Sequence, residues 1–310
     1  MLHITDAMID TLVSPDDALE TMRAAFLSFQ RGDAAMQSRE RTDAGGVKLS
    51  TLGAVIPALG VTGAKVYTTI QGQFNFVILL FSTHTGAPLA TMEANAITRL
   101  RTAATTVLAA QCLAPSQPQQ LFLCGAGVQG IAHAQQLSRH YGLKRIQVFD
   151  PYAKPEVFER LQAECGVPVV RVADCNAVAD AELVVTASRS TQPLFAGERI
   201  ADGAFVAAIG SSLPHTRELD DAALARADVI AVEWIKQAAV EAGDLVLASP
   251  DVDVAGKLVE LGALLDGQAP AAPRAGGISL YKAVGVGLED IALAGLAYLK
   301  HLQRNNAGPA

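Results

Sequence analysis

The spacing of hydrophobic residues divides the first part of the chain into helices and strands. Behind Ser14 and Pro15, two residue types that favour helix starts, apolar side chains recur at helical spacing, so an amphipathic helix is predicted over 14–31. Residues 47–81 instead alternate between apolar and polar positions in three runs separated by glycine-bearing turns. The first part is therefore expected to be mostly antiparallel β-sheet with helices around it.

A turn signal and a long helix follow these strands. Residues 83–86 are expected to form a hairpin turn into a strand at PLATME, and the alanine-rich residues 97–113 are predicted to be helical. Residues 115–118 contain two prolines, which stop that helix and indicate a domain boundary.

Beyond residue 120, short apolar runs alternate with helix-like stretches. Such alternation implies a parallel sheet with right-handed crossovers, typical of an α/β domain. The predicted strands are residues 121–124, 145–150, 167–172, 182–187, 204–210 and 228–233. Residues 278–302 predict a strand, a glycine-rich turn and a closing helix, which we expect to pack back on the first domain.

Composition limits the classes of function. The chain has 310 residues, half of them hydrophobic, which is enough for two cores, and its net charge of −7 argues against nucleic acid partners. Residues 1–10 lack a basic segment before an apolar one, and no apolar stretch is long enough to span a membrane, so we expect a cytoplasmic protein with no membrane partner.

The four cysteines form no CxxC pair and are expected to be free, buried thiols. The six histidines show no metal-ligand cluster, so no metal is expected.

A glycine-rich turn at Gly125, Gly127 and Gly130 carries the clearest chemical signal. It follows an apolar strand, precedes a helix-like stretch, and has the spacing that lets backbone amides hold a dinucleotide pyrophosphate. Asp150 closes the next predicted strand, 20 residues beyond Gly130, where a carboxylate can bind a ribose diol; it could equally begin the turn that follows. NADH or NADPH is therefore the expected cofactor. Asp150 favours NADH, but Lys154 can compensate a 2′-phosphate, so dual use stays open.

Three cations in the first domain are candidates for binding a carboxylate. Lys65 lies in an apolar strand, and Arg101 lies early in an alanine-rich helix. Lysine is rarely buried without a partner, and arginine binds carboxylates through two parallel hydrogen bonds. Lys65 and Arg101 fit a substrate role as well as an ordinary surface role, whereas Arg41 by itself fits a surface charge better.

Six motifs in order along the chain resemble the ornithine cyclodeaminase/mu-crystallin family. They are RERTDAGG, GAKVY, ITRLRTAAT, LCGAGVQG, AIGSSLPHTRELD and LYKAVGVGLEDIA. The resemblance implies a Rossmann-type parallel sheet domain, residues 115–285, inserted in an α+β substrate and dimerisation domain, residues 1–114 plus 286–310. It also implies a homodimer.

The resemblance assigns candidate site residues. An Arg, a Lys and a second Arg hold the substrate carboxylate in that family, and these resemble Arg41, Lys65 and Arg101, with Arg39 as a neighbour that could replace Arg41. Lys65 is also the candidate catalytic residue. The expected cofactor-binding residues are Gly125, Gly127, Val128, Gln129, Gly130, Asp150, Ser211 and Gly285. Lys282 and Val284 fall near the family's nicotinamide-side turn, and Asp290 resembles a late aspartate that could equally interact with a helix dipole.

The sequence departs from the cyclodeaminases at two points. Ser212 stands where they carry an aspartate that handles the substrate amine, and residues 44–64 contain no acid to hold a second amine. Burying an unpaired ammonium group is costly, so the pocket suits a cyclic imino acid, and Ser212 is a candidate substrate contact. Ser211 and Ser212 could equally serve the turn, and His215 is a weaker candidate for a general acid.

The expected reaction is NAD(P)H-dependent reduction of the C=N bond of Δ1-pyrroline-2-carboxylate or Δ1-piperideine-2-carboxylate, giving L-proline or L-pipecolate. The proton donor is left open among Lys65, water and protonation before binding. The alternatives are ornithine cyclodeamination, an alanine or N-methylamino-acid dehydrogenase activity, and ligand binding without catalysis, as in mu-crystallin relatives.

Overall fold

Two β-sheets organise the protein, which we describe from a computed structural model covering residues 1–267 and 276–306. The described parts of residues 1–105 and 285–310 form one compact unit, and the described parts of residues 106–284 form another. Along the chain, the second unit therefore interrupts the first.

The first unit holds the mostly antiparallel sheet predicted from the alternating pattern. Its elements are β1 (Leu2–Ile4), α1 (Asp6–Leu12), α2 (Pro15–Gln30), β2 (Ala35–Met36), β3 (Glu40–Ala44), β4 (Val47–Ile56), β5 (Val61–Ile70), β6 (Gln73–Ser82), β7 (Pro88–Glu93) and the start of α3 (Asn95–Leu113). Among the described residues the strand order is β1-β7-β6-β5-β4-β2, with β3 also paired to β4. Neighbours are antiparallel except β1 and β7.

Helix α2 begins where its sequence predicts. The Ser14 hydroxyl accepts a hydrogen bond from the Asp17 amide at 3.1 Å, and the Asp17 carboxylate accepts one from the Ser14 amide at 2.9 Å. Pro15 occupies the first helical position, where its missing amide hydrogen costs nothing.

The second unit is the predicted parallel α/β domain. Its elements are β8 (Gln120–Cys124), α4 (Val128–His140), β9 (Arg145–Phe149), α5 (Pro155–Cys165), β10 (Val169–Arg171), β11 (Leu183–Thr186), β12 (Phe205–Ala208), α6 (Asp221–Arg226), β13 (Ala227–Val232), α7 (Ile235–Glu241), α8 (Gly243–Val246), β14 (Leu258–Glu260), α9 (Leu261–Leu265) and β15 (Ile278–Lys282). The described strands follow the order β10-β9-β8-β11-β12-β15-β13-β14, all parallel.

The order of the first five of these strands defines a ligand-binding edge. In chain order they are the third, second, first, fourth and fifth strands of the unit, which is the doubly wound Rossmann arrangement. The order reverses between β8 and β11, and ligands of such sheets bind beyond the carboxyl ends of the strands at this point. The α/β fold with a Rossmann-type parallel sheet is confirmed.

The closing helix α10 (Gly287–Asn306) returns to the first unit. It packs on α2 and on β4, β5 and β6, as expected from its apolar sequence. Within the described residues, no helix is both long and apolar enough to cross a membrane. All four cysteines are free, but Cys112 and Cys165 are only partly buried, contrary to the expectation of buried thiols.

Candidate active site

Lys65 and Arg101 come together on a shared acid in the first unit. The Lys65 Nζ atom lies 2.7 Å from Asp290 Oδ2, and Arg101 Nε lies 3.2 Å from Asp290 Oδ1. Arg101 also donates from Nη1 to Glu289 Oε2 at 2.8 Å. All four side chains are buried. The alternation of β5 turns Lys65 inward, and the first turn of α10 supplies both carboxylates.

Further contacts hold Glu289 and Lys65 in place. Glu289 accepts from the Thr105 hydroxyl at 2.6 Å and from the Val286 amide at 2.9 Å. Lys65 also donates to the Thr98 hydroxyl at 3.4 Å and lies 5.2 Å from the centre of the Phe76 ring. Because these partners fix Glu289 and Lys65, the cluster presents its cations in a defined geometry.

Burial and neighbouring charges set the protonation of the cluster. Burial lowers the pKa of Lys65 and Arg101 lowers it further, while Asp290 raises it, with a net value of about 8. Burial alone would raise the pKa of Asp290, but the charges of Lys65 and Arg101 outweigh it and hold that pKa below its usual value. At neutral pH Lys65 is therefore mostly protonated, but it releases its proton more readily than an ordinary lysine.

Arg39, the alternative to Arg41, reaches this cluster. Its Nη2 atom donates to the Gly285 carbonyl at 2.7 Å, and its charge lowers the pKa values of both Lys65 and Asp290. Arg41 lies on β3 opposite Ser50, which in turn lies opposite Tyr67 on β5. Since Tyr67 follows Lys65 by two residues, Arg41 shares the sheet face of Lys65.

Two further residues of this unit bear on the cluster. Gly285, predicted to contact the cofactor, has a φ of 75°, and a side chain there would come within 2.8 Å of an Arg101 guanidinium nitrogen. Ser50 is 1 % exposed, and its hydroxyl has no hydrogen-bond partner among the described residues. A buried hydroxyl of this kind can donate a hydrogen bond to a ligand or accept one from it.

The predicted dinucleotide turn forms between β8 and α4 in the second unit. Gly125 has a φ of 97°, which favours glycine, and a side chain on Gly130 would lie 1.9 Å from the Gly125 carbonyl oxygen. A side chain on Gly127 would meet no protein atom within 4 Å. Gly127 is the N-cap of α4 and provides no side-chain cap, and the N-terminus of a helix at such a turn is the kind of site that binds a pyrophosphate.

Asp150 forms the turn after β9 and also contacts the glycine turn. Its Oδ1 accepts from the amides of Tyr152 and Ala153 at 2.9 and 3.1 Å, which forms the turn after β9. Its Oδ2 accepts from the Ala126 amide at 2.8 Å, within the glycine turn. An ionised carboxylate has about four acceptor positions, so capacity for a ribose hydroxyl remains.

A cavity of about 570 Å³ lies against this turn. It is lined by residues from the ends of β8, β9 and β11, among them Gly125, Gly127, Asp150, Ala187, Ser188 and Arg189. A neighbouring cavity of about 410 Å³ is lined by Asp150 and Arg171. Arg171, not identified from the sequence, is a cation near the acid that was expected to select the coenzyme. The size of the cavity and the open space beside Gly127 fit a dinucleotide.

The loop after β12 contains the remaining predicted residues. The Ser211 hydroxyl bonds with Thr216 within the loop, and Ser212 is half-buried while His215 is exposed. Lys282, near the expected nicotinamide-side turn, is buried and paired with Asp244 at 2.9 Å. Val128 and Gly127 are exposed at the start of α4, whereas Gln129 is half-buried.

The sequence reasoning missed Glu289 and did not foresee the pairing of Asp290. The available signal was the pair Glu289 and Asp290 in an otherwise apolar stretch. Two adjacent acids there require buried cationic partners.

Comparisons with known proteins identify the family of the chain. A model of the ornithine cyclodeaminase/mu-crystallin family matches residues 1–305. The ketimine reductase mu-crystallin of Mus musculus is 30% identical over 307 residues, covering 93% of each chain.

Two solved structures share the whole fold. A probable ornithine cyclodeaminase from Bordetella pertussis Tohama I is 59% identical, covers 100% of this chain and 99% of its own, and superposes with a TM-score of 0.97. The Δ1-pyrroline-2-carboxylate reductase of Thermococcus litoralis, solved with NADH and L-proline, is 24% identical with a TM-score of 0.93 and 98% coverage of both chains. From the full-length family match, the buried cation cluster and the glycine turn, the chain belongs to the ornithine cyclodeaminase/mu-crystallin family.

Proposed function

We propose that this protein uses NADH or NADPH to reduce a cyclic ketimine carboxylate, Δ1-pyrroline-2-carboxylate or Δ1-piperideine-2-carboxylate, to L-proline or L-pipecolate. The observation that carries the proposal is that both acids of the buried cluster are already paired. Glu289 binds Arg101, and Asp290 binds Arg101 and Lys65. The two amines of a diamino acid would therefore have to compete with resident cations, whereas an imino acid brings no second ammonium group.

Four cationic side chains lie on the same side of the sheet. Lys65 and Arg101 pair with Asp290 and Glu289, Arg39 is near enough to lower the pKa of Lys65, and Arg41 shares the sheet face of Lys65. We infer that Arg41, Lys65 and Arg101 orient the substrate carboxylate, with Arg39 contributing charge. The buried Ser50 hydroxyl supplies a further hydrogen-bonding group.

The cofactor binds, in this proposal, at the glycine turn of the second unit. Gly125, Gly127, Val128, Gln129 and Gly130 hold the pyrophosphate, Asp150 binds the adenosine ribose, and Ser211 and Gly285 contact the cofactor elsewhere. When bound, the nicotinamide supplies the hydride. Asp150 favours NADH, whereas Arg171 and Lys154 provide positive charge for a 2′-phosphate, so both coenzymes are expected to work.

Lys65 is the proposed source of the proton for the ring nitrogen. With a pKa of about 8 it is protonated at neutral pH and releases its proton more readily than an ordinary lysine. Asp290, which contacts the same ammonium group, keeps Lys65 charged until that transfer. The proposal therefore gives Lys65 both the carboxylate contact and the acid role.

A second candidate function is ornithine cyclodeamination. It is favoured by the 59% identity to the protein described as a probable ornithine cyclodeaminase. Ser212 argues against it, since a serine cannot act as the carboxylate that handles the amine.

We also propose a homodimer. On the sheet face opposite Lys65, six large apolar side chains are exposed: Val47, Leu49, Val55, Ile70, Val77 and Leu79. An apolar patch on a central sheet is typical of an interface with a second copy. Val77→Asp should make the protein monomeric, as measured by light scattering. Val170 is an exposed valine on β10, and Val170→Asp should leave the dimer intact. A wild-type monomer would contradict the proposal.

The activity is tested by following the absorbance of NADH or NADPH with Δ1-pyrroline-2-carboxylate, in parallel with ammonia release from ornithine and NAD⁺. We expect oxidation of the reduced cofactor and no ammonia.

Ser212→Asp should reduce the rate of imine reduction by about tenfold or more, because it adds a carboxylate beside the substrate. His215→Asp, which places an acid at an exposed position of the same loop, should have a smaller effect. Ammonia release without imine reduction would overturn the proposal.

A further inference from the structure

The buried carboxylate of Glu218 connects the carboxyl ends of two strands beside the 570 Å³ cavity. Glu218 is 0 % exposed and accepts four hydrogen bonds. Its Oε1 accepts from the Ser188 amide at 2.8 Å and the Ser188 hydroxyl at 2.6 Å, and its Oε2 accepts from the Thr186 hydroxyl at 2.9 Å and the Gly210 amide at 2.7 Å. All four donors are neutral, and together they fill the acceptor positions of an ionised carboxylate.

These donors come from the carboxyl ends of adjacent parallel strands. Thr186 is the last residue of β11, Ser188 follows two residues later, and Gly210 follows β12. Ser188 lines the 570 Å³ cavity together with Ala187 and Arg189. Glu218 therefore fixes a segment that forms one wall of the cavity while lying outside the cavity lining itself.

Close contacts show how tightly this wall is held. A side chain on Gly210 would lie 2.2 Å from the Ser188 carbonyl oxygen and 2.5 Å from Glu218 Oε1. A side chain on Gly125 would lie 2.7 Å from the Ala187 carbonyl oxygen. The wall thus touches the glycine turn directly, and a displacement of residues 187–188 would alter the space left for the cofactor.

A second buried carboxylate fixes Glu218 itself. Asp244 Oδ1 accepts from the Glu218 and Leu219 amides at 2.7 and 2.8 Å, and Asp244 Oδ2 lies 2.9 Å from Lys282 Nζ. Lys282 in turn donates to the carbonyls of Ala208 and Ser211 at 3.2 and 2.5 Å. The network runs across the carboxyl ends of β11, β12 and β15, the edge at which dinucleotides bind.

We propose that Glu218 is a positioning residue for the dinucleotide: it holds residues 186–190 and 210 in the arrangement that the bound cofactor requires. The inference rests on the cofactor-binding part of the proposed function and names a determinant of affinity outside the glycine motif. A carboxylate is needed because an amide would turn two donor hydrogens toward donors that are already in place.

Glu218→Gln tests this role, and Glu182→Gln is the matched control. Glu182 accepts from the Gln119 and Gln120 amides at 2.7 and 2.9 Å, at the opposite, amino end of β8. We expect Glu218→Gln to raise the Kd for NADH, measured by cofactor fluorescence, by about tenfold or more. The KM for the imine and kcat at saturating NADH should change by less than about threefold. Glu182→Gln should lower thermal stability and leave the Kd for NADH unchanged.

Two further measurements keep the inference testable if Glu218→Gln does not fold. Ser188→Ala and Thr186→Val each remove one donor and should each raise the Kd for NADH less than Glu218→Gln is expected to. Amide hydrogen exchange in residues 186–190 should slow on NADH addition to the wild type, and less so in these variants. Wild-type NADH affinity in all folded variants, with reduced thermal stability only, would overturn the inference. A wild-type protein that does not bind NADH would instead overturn the proposed function.

Discussion

Lys65 and Asp290 form a buried ion pair, with Nζ 2.7 Å from Oδ2, although 225 positions separate them in the chain. The lysine comes from a sheet strand and the aspartate from the first turn of the closing helix. Burial and Arg101 lower the pKa of Lys65, Asp290 raises it, and the result is about 8. The protonation of Lys65 in the proposed site should therefore change at mildly alkaline pH.

The pH dependence of imine reduction should reflect Lys65. The protonated form is the one that binds a carboxylate and can donate a proton, and it is lost as pH rises through about 8. We expect kcat/KM for the imine to fall about tenfold per pH unit above that value. Steady-state rates between pH 6 and 10 measure it, and a flat profile over this range would remove Lys65 from both roles.

Asp290→Asn should move this alkaline limb to lower pH. Asp290 raises the pKa of Lys65, so its loss leaves a buried ammonium group that gives up its proton more easily. Glu289→Gln is the control, because Glu289 pairs with Arg101 and leaves the contact of Lys65 with Asp290 in place. Ionisation of the substrate imine is common to all variants, so the difference between profiles isolates Lys65. Equal profiles for the two variants would contradict the assignment.

Arg39 and Arg41 should differ in their effects. Arg39 lowers the pKa of Lys65, so Arg39→Met should shift the alkaline limb to higher pH, opposite to Asp290→Asn. Arg41→Met should raise KM for the imine by about tenfold or more without moving the limb, because its proposed role is to bind the carboxylate. Full pH profiles of both variants separate the two residues. A shift of the alkaline limb in the pH profile of Arg41→Met would contradict the assignment of the pKa effect to Arg39 alone.

Gly127→Ala and Gly130→Ala should separate ligand binding from folding. A side chain on Gly127 meets no protein atom and its φ of −76° suits alanine, so thermal stability should be unchanged. The Kd for NADH should nevertheless rise by about tenfold or more, because the added methyl group occupies the space of the pyrophosphate. Gly130→Ala brings a methyl group to 1.9 Å from the Gly125 carbonyl oxygen and should also cost about 1–3 kcal/mol of stability. NADH binding by Gly127→Ala at wild-type affinity would exclude this turn as the pyrophosphate site.

The sequence predicted the elements whose hydrophobic spacing is regular. Strands β4, β5 and β6 were predicted because their apolar and polar residues alternate, and α2 because of Ser14 and Pro15. Strand β3, with the sequence ERTDA, was not predicted, since it is almost entirely exposed and has no apolar side to mark it. Strand β3 contains Arg41, but its polar sequence shows no alternation of apolar and polar residues that would predict a strand.

Within the site, the sequence identified residue types and missed their partners. Lys65 and Arg101 were identifiable because cations in apolar elements need a partner, but nothing local to either residue indicates Asp290 or Glu289. Glu218 was missed for the same reason. Its four donors lie in segments up to 32 residues away and meet only when β11 and β12 pair. Such contacts depend on tertiary structure and leave no spacing pattern in the chain.

The most direct test of the proposed function is the fate of the transferred hydride. Purified protein is incubated with Δ1-pyrroline-2-carboxylate and NADH carrying deuterium at both C4 positions of the nicotinamide, and the product is analysed by mass spectrometry and chiral chromatography. We predict L-proline with one deuterium on its α-carbon, formed in equal amount to the NAD⁺ produced. Absence of labelled proline from protein that binds NADH, together with ammonia release from ornithine in the presence of NAD⁺, would contradict the proposed function.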